Sequence, residues 1–289
     1  MEHVAWSERP RLRTPVLIAA FEGWNDAGEA ASYAARYLAE QWVTRRFAVI
    51  DPEEFFDFSS TRPHVGLDGG LQREIEWPST EFTGGAIPGA AFDAVILLGS
   101  EPQLRWRTFC QQIVDVARDV EARLVITLGA LLAEVPHSRP VSIVGTADDD
   151  DLVRRLDLQH STYQGPTGIV GVLHDACRKA GIPSASLWAA VPTYVPGAPS
   201  PKAALALVER VAAMLTLPIP VTALEIASAA YERQLDELVA DDDDTATYVA
   251  NLEAGVDEDE AVIIDGVDGV DGVDLISEVE DFLRDNPGA

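Results

Sequence analysis

Cysteine, lysine and long apolar runs are all scarce in this chain of 289 residues. Cys110 and Cys177 are its two cysteines; both fall in stretches of helical periodicity and lack CxxC spacing, which predicts buried, reduced thiols in place of a disulfide or thiolate metal site. No run of 18 apolar residues occurs, so no membrane-spanning helix is expected. Residues 1–13 are polar and hold no apolar segment of signal-peptide length, which makes the cytoplasm the expected location. The common catalytic signatures are missing too: there is no GxSxG elbow, GxGxxG loop, Walker lysine loop or HExxH pair. The five histidines, His3, His64, His137, His160 and His174, are scattered with no i, i+4 pair, so neither a metal centre nor a cofactor is expected.

Charge is abundant but of one sign. Asp and Glu number 48 against 21 Lys and Arg, a net of −27, which repels nucleic-acid phosphates and anionic membranes. The excess is concentrated late in the chain: residues 221–289 carry 21 acidic side chains and 2 arginines, a net of −19, leaving −8 for residues 1–220. That asymmetry predicts an α/β domain over 1–220 and a helical, acidic, partly flexible extension over 221–289.

The body reads as alternating strands and helices. Val16 to Phe21 is a short apolar run suited to a strand buried on both faces. A helix follows, with Asp26 as N-cap and Glu29 closing a capping box; Ala27, Ala30, Ala31, Ala34, Ala35 and Leu38 line one face. Phe47 to Ile50 is a second strand. Glycine-punctuated, alternating pieces such as Leu71 to Trp77 predict an edge hairpin. Further strands are expected at Ala94 to Gly99, Leu124 to Leu128 (ending at Gly129), Val141 to Gly145 and Ser186 to Ala190. Helices are expected over 104–121, from near Leu152, over 169–180, and from Pro201 behind the cap Ser200. This order predicts a mainly parallel, mixed sheet between two helical layers, a three-layer αβα sandwich. Asp148 to Asp151 reads as a helix N-terminus, not an ion site.

In the extension, Leu224, Ala227, Tyr231, Leu235 and Leu238 form a helical stripe; with the alanine-rich faces it predicts a homo-oligomer. Periodicity is lost at Asp241 to Asp244 and again over 255–274, where the repeat DGVDGVDGVD fits no calcium loop and reads as a solvated linker. Leu275 to Leu283 reads as a short terminal helix.

Polar residues just after the strands are the candidate site. Glu22, Gly23, Trp24, Asn25 and Asp26 follow the first strand, Glu101 and Arg105 the Ala94 strand, Arg139 the Leu124 strand, and Thr193 the Ser186 strand. Gly165 and Thr167 belong to a turn feeding a helix N-terminus. In an open α/β sheet such loops gather at one rim, where backbone N–H groups and helix dipoles favour a small anion or a nucleoside-like ligand. The same residues serve equally as ion pairs that fasten loops.

The string Gly23-Trp24-Asn25-Asp26-Ala27-Gly28 behind an apolar strand resembles the signature of the proteasome assembly chaperone 2 family in its actinobacterial-type branch. Gly99-Ser100-Glu101-Pro102 with Arg105-Trp106, Pro136-His137-Ser138-Arg139-Pro140, Gly165-Pro166-Thr167-Gly168-Ile169 and Val191-Pro192-Thr193-Tyr194 agree with it in order. The resemblance implies a nucleoside-phosphorylase-like fold, a non-enzymatic interaction protein with proteasome subunits among its partners, and a homo-oligomer such as a trimer. It departs in one place: proteasome-docking partners end in a hydrophobic-Tyr-any tail, and the last five residues here are Asp285-Asn286-Pro287-Gly288-Ala289. The alternative is a ligand-binding protein or enzyme with a phosphorylase- or hydrolase-like pocket at the strand carboxyl ends.

Overall fold

A computed structural model describes residues 2–68 and 72–256. The expected repeat over 255–274, apart from its first two residues, and the expected helix over 275–283 lie outside the described residues. The strands are β1 (Val4–Trp6), β2 (Val16–Glu22), β3 (Arg45–Ile50), β4 (His64–Asp68), β5 (Gln72–Glu76), β6 (Thr80–Ala86), β7 (Asp93–Ser100), β8 (Leu124–Ala133), β9 (Ile143–Ala147) and β10 (Ser184–Pro192). The helices are α1 (Ala30–Gln41), α2 (Trp106–Asp119), α3 (Asp150–Leu156), α4 (Ile169–Ala180), α5 (Pro201–Leu215), α6 (Thr222–Ala240) and α7 (Asp243–Val256).

Eight strands form one sheet in the order β1-β3-β6-β7-β2-β8-β10-β9, and β4 and β5 form a separate hairpin. β7, β2, β8 and β10 run parallel at the centre; β6, β3 and β1 continue antiparallel on one side and β9 closes the other. Two-residue periodicity divides β2 between two cores. Val16, Ile18 and Ala20 pack with α1 and α5, whereas Leu17, Ala19 and Phe21 pack with α2 and α4. Both faces are covered, as an all-apolar strand requires, and the expected three layers are present. The alanine stripe of α1 is fully buried from Ala30 to Leu38, letting the helix lie close on β2. Cys110 on α2 and Cys177 on α4 are buried and unbonded, and burial pushes both thiols up to about 12. No helix among the described residues is long and apolar enough to cross a membrane.

Four local expectations are corrected. No capping box forms at Asp26: a single 3-10 turn, Ala27–Glu29, intervenes, and Glu29 stands left-handed at φ 50° without a side-chain cap bond. Asp26 caps from further away, its Oδ1 accepting from the amides of Ala31 (2.7 Å) and Ser32 (3.1 Å). Gly28 permits this detour, with φ 58° and a Cβ position only 3.2 Å from the Ala198 carbonyl. β8 does not stop at Gly129 but runs to Ala133. That glycine is a packing slot, since a Cβ there would lie 2.6 Å from the Trp188 ring on the neighbouring strand. The glycine-punctuated stretch yields the hairpin β4–β5 and also β6, which is no edge element because it bridges β3 and β7. The aspartates at 241–244 do not end helical structure: Asp242 accepts from the Thr245 amide at 2.9 Å and starts α7.

Candidate functional site

The carboxyl ends of β2, β7 and β8 meet where β2 gives way to Gly23, whose φ of 123° turns the chain sharply. The loop stays laced to its neighbours: the Glu101 amide donates to the Glu22 carbonyl (2.8 Å) and the Ala130 amide to the Asn25 carbonyl (2.8 Å). Within this lacing, the buried Asn25 donates from Nδ2 to Glu101 Oε1 at 2.8 Å, and the Ile169 amide donates to the same oxygen at 2.8 Å. Ile169 opens α4, so the anion expected from outside at that helix N-terminus is supplied by the chain's own Glu101. Gly168 lets the parts meet, because a Cβ there would lie 2.5 Å from Asn25 Nδ2.

The other rim candidates disperse around this knot. Asp26 turns away into the α1 cap; burial raises its carboxyl above the usual range, opposed by its bonds to Ser32 and Ala31. Glu22 pairs with Arg36 on α1 (2.7 Å) and accepts from Ser100 Oγ (3.2 Å). Trp24 stands outward, 66% exposed. Arg105 enters α2 in a left-handed conformation and pairs with Glu54, away from Asn25. Arg139 lies exposed in the loop after β8, its amide 3.4 Å from the Pro136 carbonyl. Gly165 is in an exposed turn held by Tyr163, whose hydroxyl donates to the Pro166 carbonyl at 2.8 Å. Thr167 borders a shallow groove of about 590 Å3 with Arg107, Asp175 and Lys179. Thr193 faces α7, its Oγ1 3.4 Å from the Tyr248 hydroxyl. Asn25 and Glu101 therefore meet directly, with Gly23 and Glu22 beside them; Arg105, Arg139, Thr167 and Thr193 each serve a different neighbourhood.

Two features escape the pattern reading. A cleft of about 640 Å3 opens between α1 and the β4–β5 hairpin, with Ile96 and Leu98 in its floor and Glu22, Arg36, His64 and Glu76 among its polar lining. Only the loose glycine spacing before β6 hinted that the hairpin would stand apart from the sheet. The second feature is a buried polar latch. The His137 amide donates to the Tyr194 hydroxyl (2.7 Å), which is left to donate to His137 Nδ1 (2.7 Å); Nε2–H then faces Asp236 Oδ1 on α6 at 3.1 Å. Burial pushes the Tyr194 phenol up to about 12, so it remains a neutral donor. Lys202 on α5 donates to the His137 carbonyl and pairs with Glu232 on α6, both at 2.5 Å. The strings around His137 and Tyr194 mark this place in the sequence, but Asp236 lies 99 residues from its partner and carries no local signal.

Among the described residues no group of three or more His, Cys, Asp or Glu side chains could hold a metal ion.

Comparison with known proteins completes the description. No functionally curated protein matches the chain. A PAC2 family protein from Streptomyces avermitilis superposes with a TM-score of 0.76 at 45% identity, covering 81% of this chain and 99% of that one. The Mycobacterium tuberculosis proteasome-assembly chaperone homologue Rv2125 gives 0.74 at 43% identity, with the same two coverages. Pyrococcus furiosus PbaB, described as an archaeal proteasome activator, shares the fold at 19% identity, with a TM-score of 0.67 over 82% of this chain and 99% of its own. The model of the PAC2 family matches residues 20–239, and with two relatives above 40% identity the chain belongs to that family.

Proposed function

We propose that this protein is a non-enzymatic, chaperone-like interaction protein of the cytoplasm, that it works as a homo-oligomer, and that proteasome subunits are among its partners. Family membership and the relative at 43% identity, itself described as a proteasome-assembly chaperone homologue, support the role. The observation that carries the non-enzymatic part is the self-filled rim. The helix N-terminus best placed to receive a ligand's anion already holds Glu101, and Asn25 is spent on the same carboxylate. A rim wired in this way fastens three loops and gives the first amide of α4 to the chain's own carboxylate in place of an oxyanion or phosphate.

The test has two arms. Tagged protein purified from its own cells at moderate salt is expected to retain proteasome α or β subunits. Thermal-shift titration with phosphate, nucleosides and nucleotides is expected to give no saturable stabilisation. Saturable stabilisation by a nucleoside, lost in Asn25→Ala, together with no retained proteasome subunit, would replace this reading with the ligand-binding one.

A further inference from the structure

The cleft of about 640 Å3 between α1 and the β4–β5 hairpin lies beside the rim, sharing Glu22 with it, and its lining is short of positive charge. Its size falls within the roughly 300–1,000 Å3 of clefts that take a ligand, far beyond what a single ion fills. Ile96 and Leu98 of β7 give it an apolar floor, and Trp77, packed edge-on against Phe58 with ring centroids 4.8 Å apart, adds an aromatic wall at the end of the hairpin. Two of its charges are already spent. Arg36 donates from Nη1 to Glu22 Oε1 at 2.7 Å and from Nη2 to Ser32 Oγ at 2.9 Å, so both ends of its fork are engaged, and Glu81 pairs with Arg46 at 2.9 Å. Two carboxylates remain, one on each wall: Glu40 on α1 and Glu76 at the end of β5, both exposed and neither in an ion pair among the described residues. Glu40 stands in the last turn of α1, a turn with no basic residue to offset the partial negative charge of a helix C-terminus. With histidine counted as neutral, Arg62 is the remaining cation of the lining, set against two carboxylates and a helix end.

We infer that this cleft docks a short basic segment of a partner protein, whose Lys or Arg side chains reach Glu40 and Glu76 while an apolar neighbour rests on Ile96, Leu98 and Trp77; the inference rests on the interaction role proposed above and gives the partner a chemistry. Such a segment answers both halves of the lining. A bare cation would leave the apolar floor in water, and an apolar peptide would leave two carboxylates unmatched in the contact. Exposed ion pairs hold little by themselves, so the floor must supply much of the grip, and a cation brought over the Trp77 ring adds to it. The charge of the whole chain works in the same direction: a net of −27 draws a basic segment in from a distance and speeds its encounter with the cleft.

Fluorescence anisotropy on the full chain at about 150 mM sodium chloride tests the site, with a fluorescein-labelled pentapeptide alternating Lys and Leu as the probe and its counterpart with Glu in place of Lys as the reference. The Lys/Leu peptide is expected to bind with a dissociation constant on the order of 10–100 µM and the Glu/Leu peptide to show no saturation. Glu40→Gln/Glu76→Gln is expected to weaken binding about 10-fold with an unchanged urea midpoint, and Ala39→Arg, which sets a cation into the lining, to weaken it as much. Glu209→Gln/Glu237→Gln removes the same charge from exposed positions on α5 and α6 and is expected to bind as the parent does. A parent that binds no Lys/Leu peptide, or binds the Glu/Leu peptide equally well, overturns the inference. Binding that survives both cleft variants, or that falls equally in the α5 and α6 control, overturns it as well. Peptide binding lost only in the cleft variants, in a protein that retains no proteasome subunit on purification, upholds the cleft and overturns the proteasome part of the role.

Discussion

His174 is the residue whose surroundings make the sharpest demand on solution conditions. Its Nε2 lies 2.8 Å from Thr127 Oγ1 and its Nδ1 2.9 Å from Ser184 Oγ, so both nitrogens are satisfied by hydroxyls, and among the described residues no carboxylate pairs with the ring. Burial pushes the imidazole down to about 4 from an ordinary 6.5, with Asp148 pulling weakly the other way. Between those values the unfolded chain binds a proton that the folded chain refuses, so this contribution is complete above pH 6.5 and is lost as pH falls toward 4. The full gap corresponds to about 3 kcal/mol, an upper bound because the residue retains some exposed surface. Comparing the parent with His174→Gln separates it from the many carboxylates that titrate lower. Chemical denaturation at pH 6.5 and 5 is expected to show the parent losing about 1 kcal/mol more than the variant, and equal losses would mean that the ring is already solvated. Glu101 demands the opposite test, of contacts and not of charge. Glu101→Ala strands the buried Asn25 amide and the first amide of α4, for an expected cost of about 2 kcal/mol, read as a lower midpoint in urea with an unchanged slope.

At the scale of elements, close approach between strands decides where glycine must stand. Gly129→Ala would drive a methyl to 2.6 Å from the Trp188 ring, and the expected cost is about 2 kcal/mol. Adding Trp188→Leu should return part of that loss, a coupling that a double-mutant cycle measures directly; additive losses would place the strain elsewhere. The same glycine shows what the sequence could and could not reveal. α4 was legible to the residue, and α5 began where expected because its signals are local: Ser200 accepts from the Ala203 amide and Pro201 needs no N–H. β8 runs past its expected end because a glycine that makes room for a tryptophan 59 residues away looks the same in one dimension as a glycine that ends a strand. The capping box at Asp26 failed for a related reason: the detour through Gly28 is imposed by Ser200, whose amide donates to the Gly28 carbonyl at 2.7 Å. The candidate site divides in the same manner. Asn25 and Glu101, two of the rim candidates, meet because each follows one of two neighbouring parallel strands. The separation of Arg105 and Thr193 from them was not legible, because their partners Glu54 and Tyr248 sit on elements that no local pattern ties to the rim.

At the scale of the whole molecule, the balance between a strongly negative net charge and apolar burial sets how the proposed self-association should respond to salt. Two copies of a chain with net charge −27 repel each other at long range, and that repulsion is screened once the Debye length falls below the separation of their surfaces. The Debye length shrinks from roughly 20 Å at 20 mM salt to about 7 Å at 200 mM. Burial of apolar surface between copies depends little on ionic strength over that range. Association is therefore expected to tighten with salt, the dissociation constant falling several-fold between 20 and 200 mM sodium chloride in sedimentation velocity at constant pH. The opposite trend would show that ion pairs, and not apolar burial, carry the contact. Lowering the pH toward the sequence isoelectric point near 4.3 removes the repulsion by another route, but it also enters the range where His174 weakens the fold, so salt is the cleaner variable.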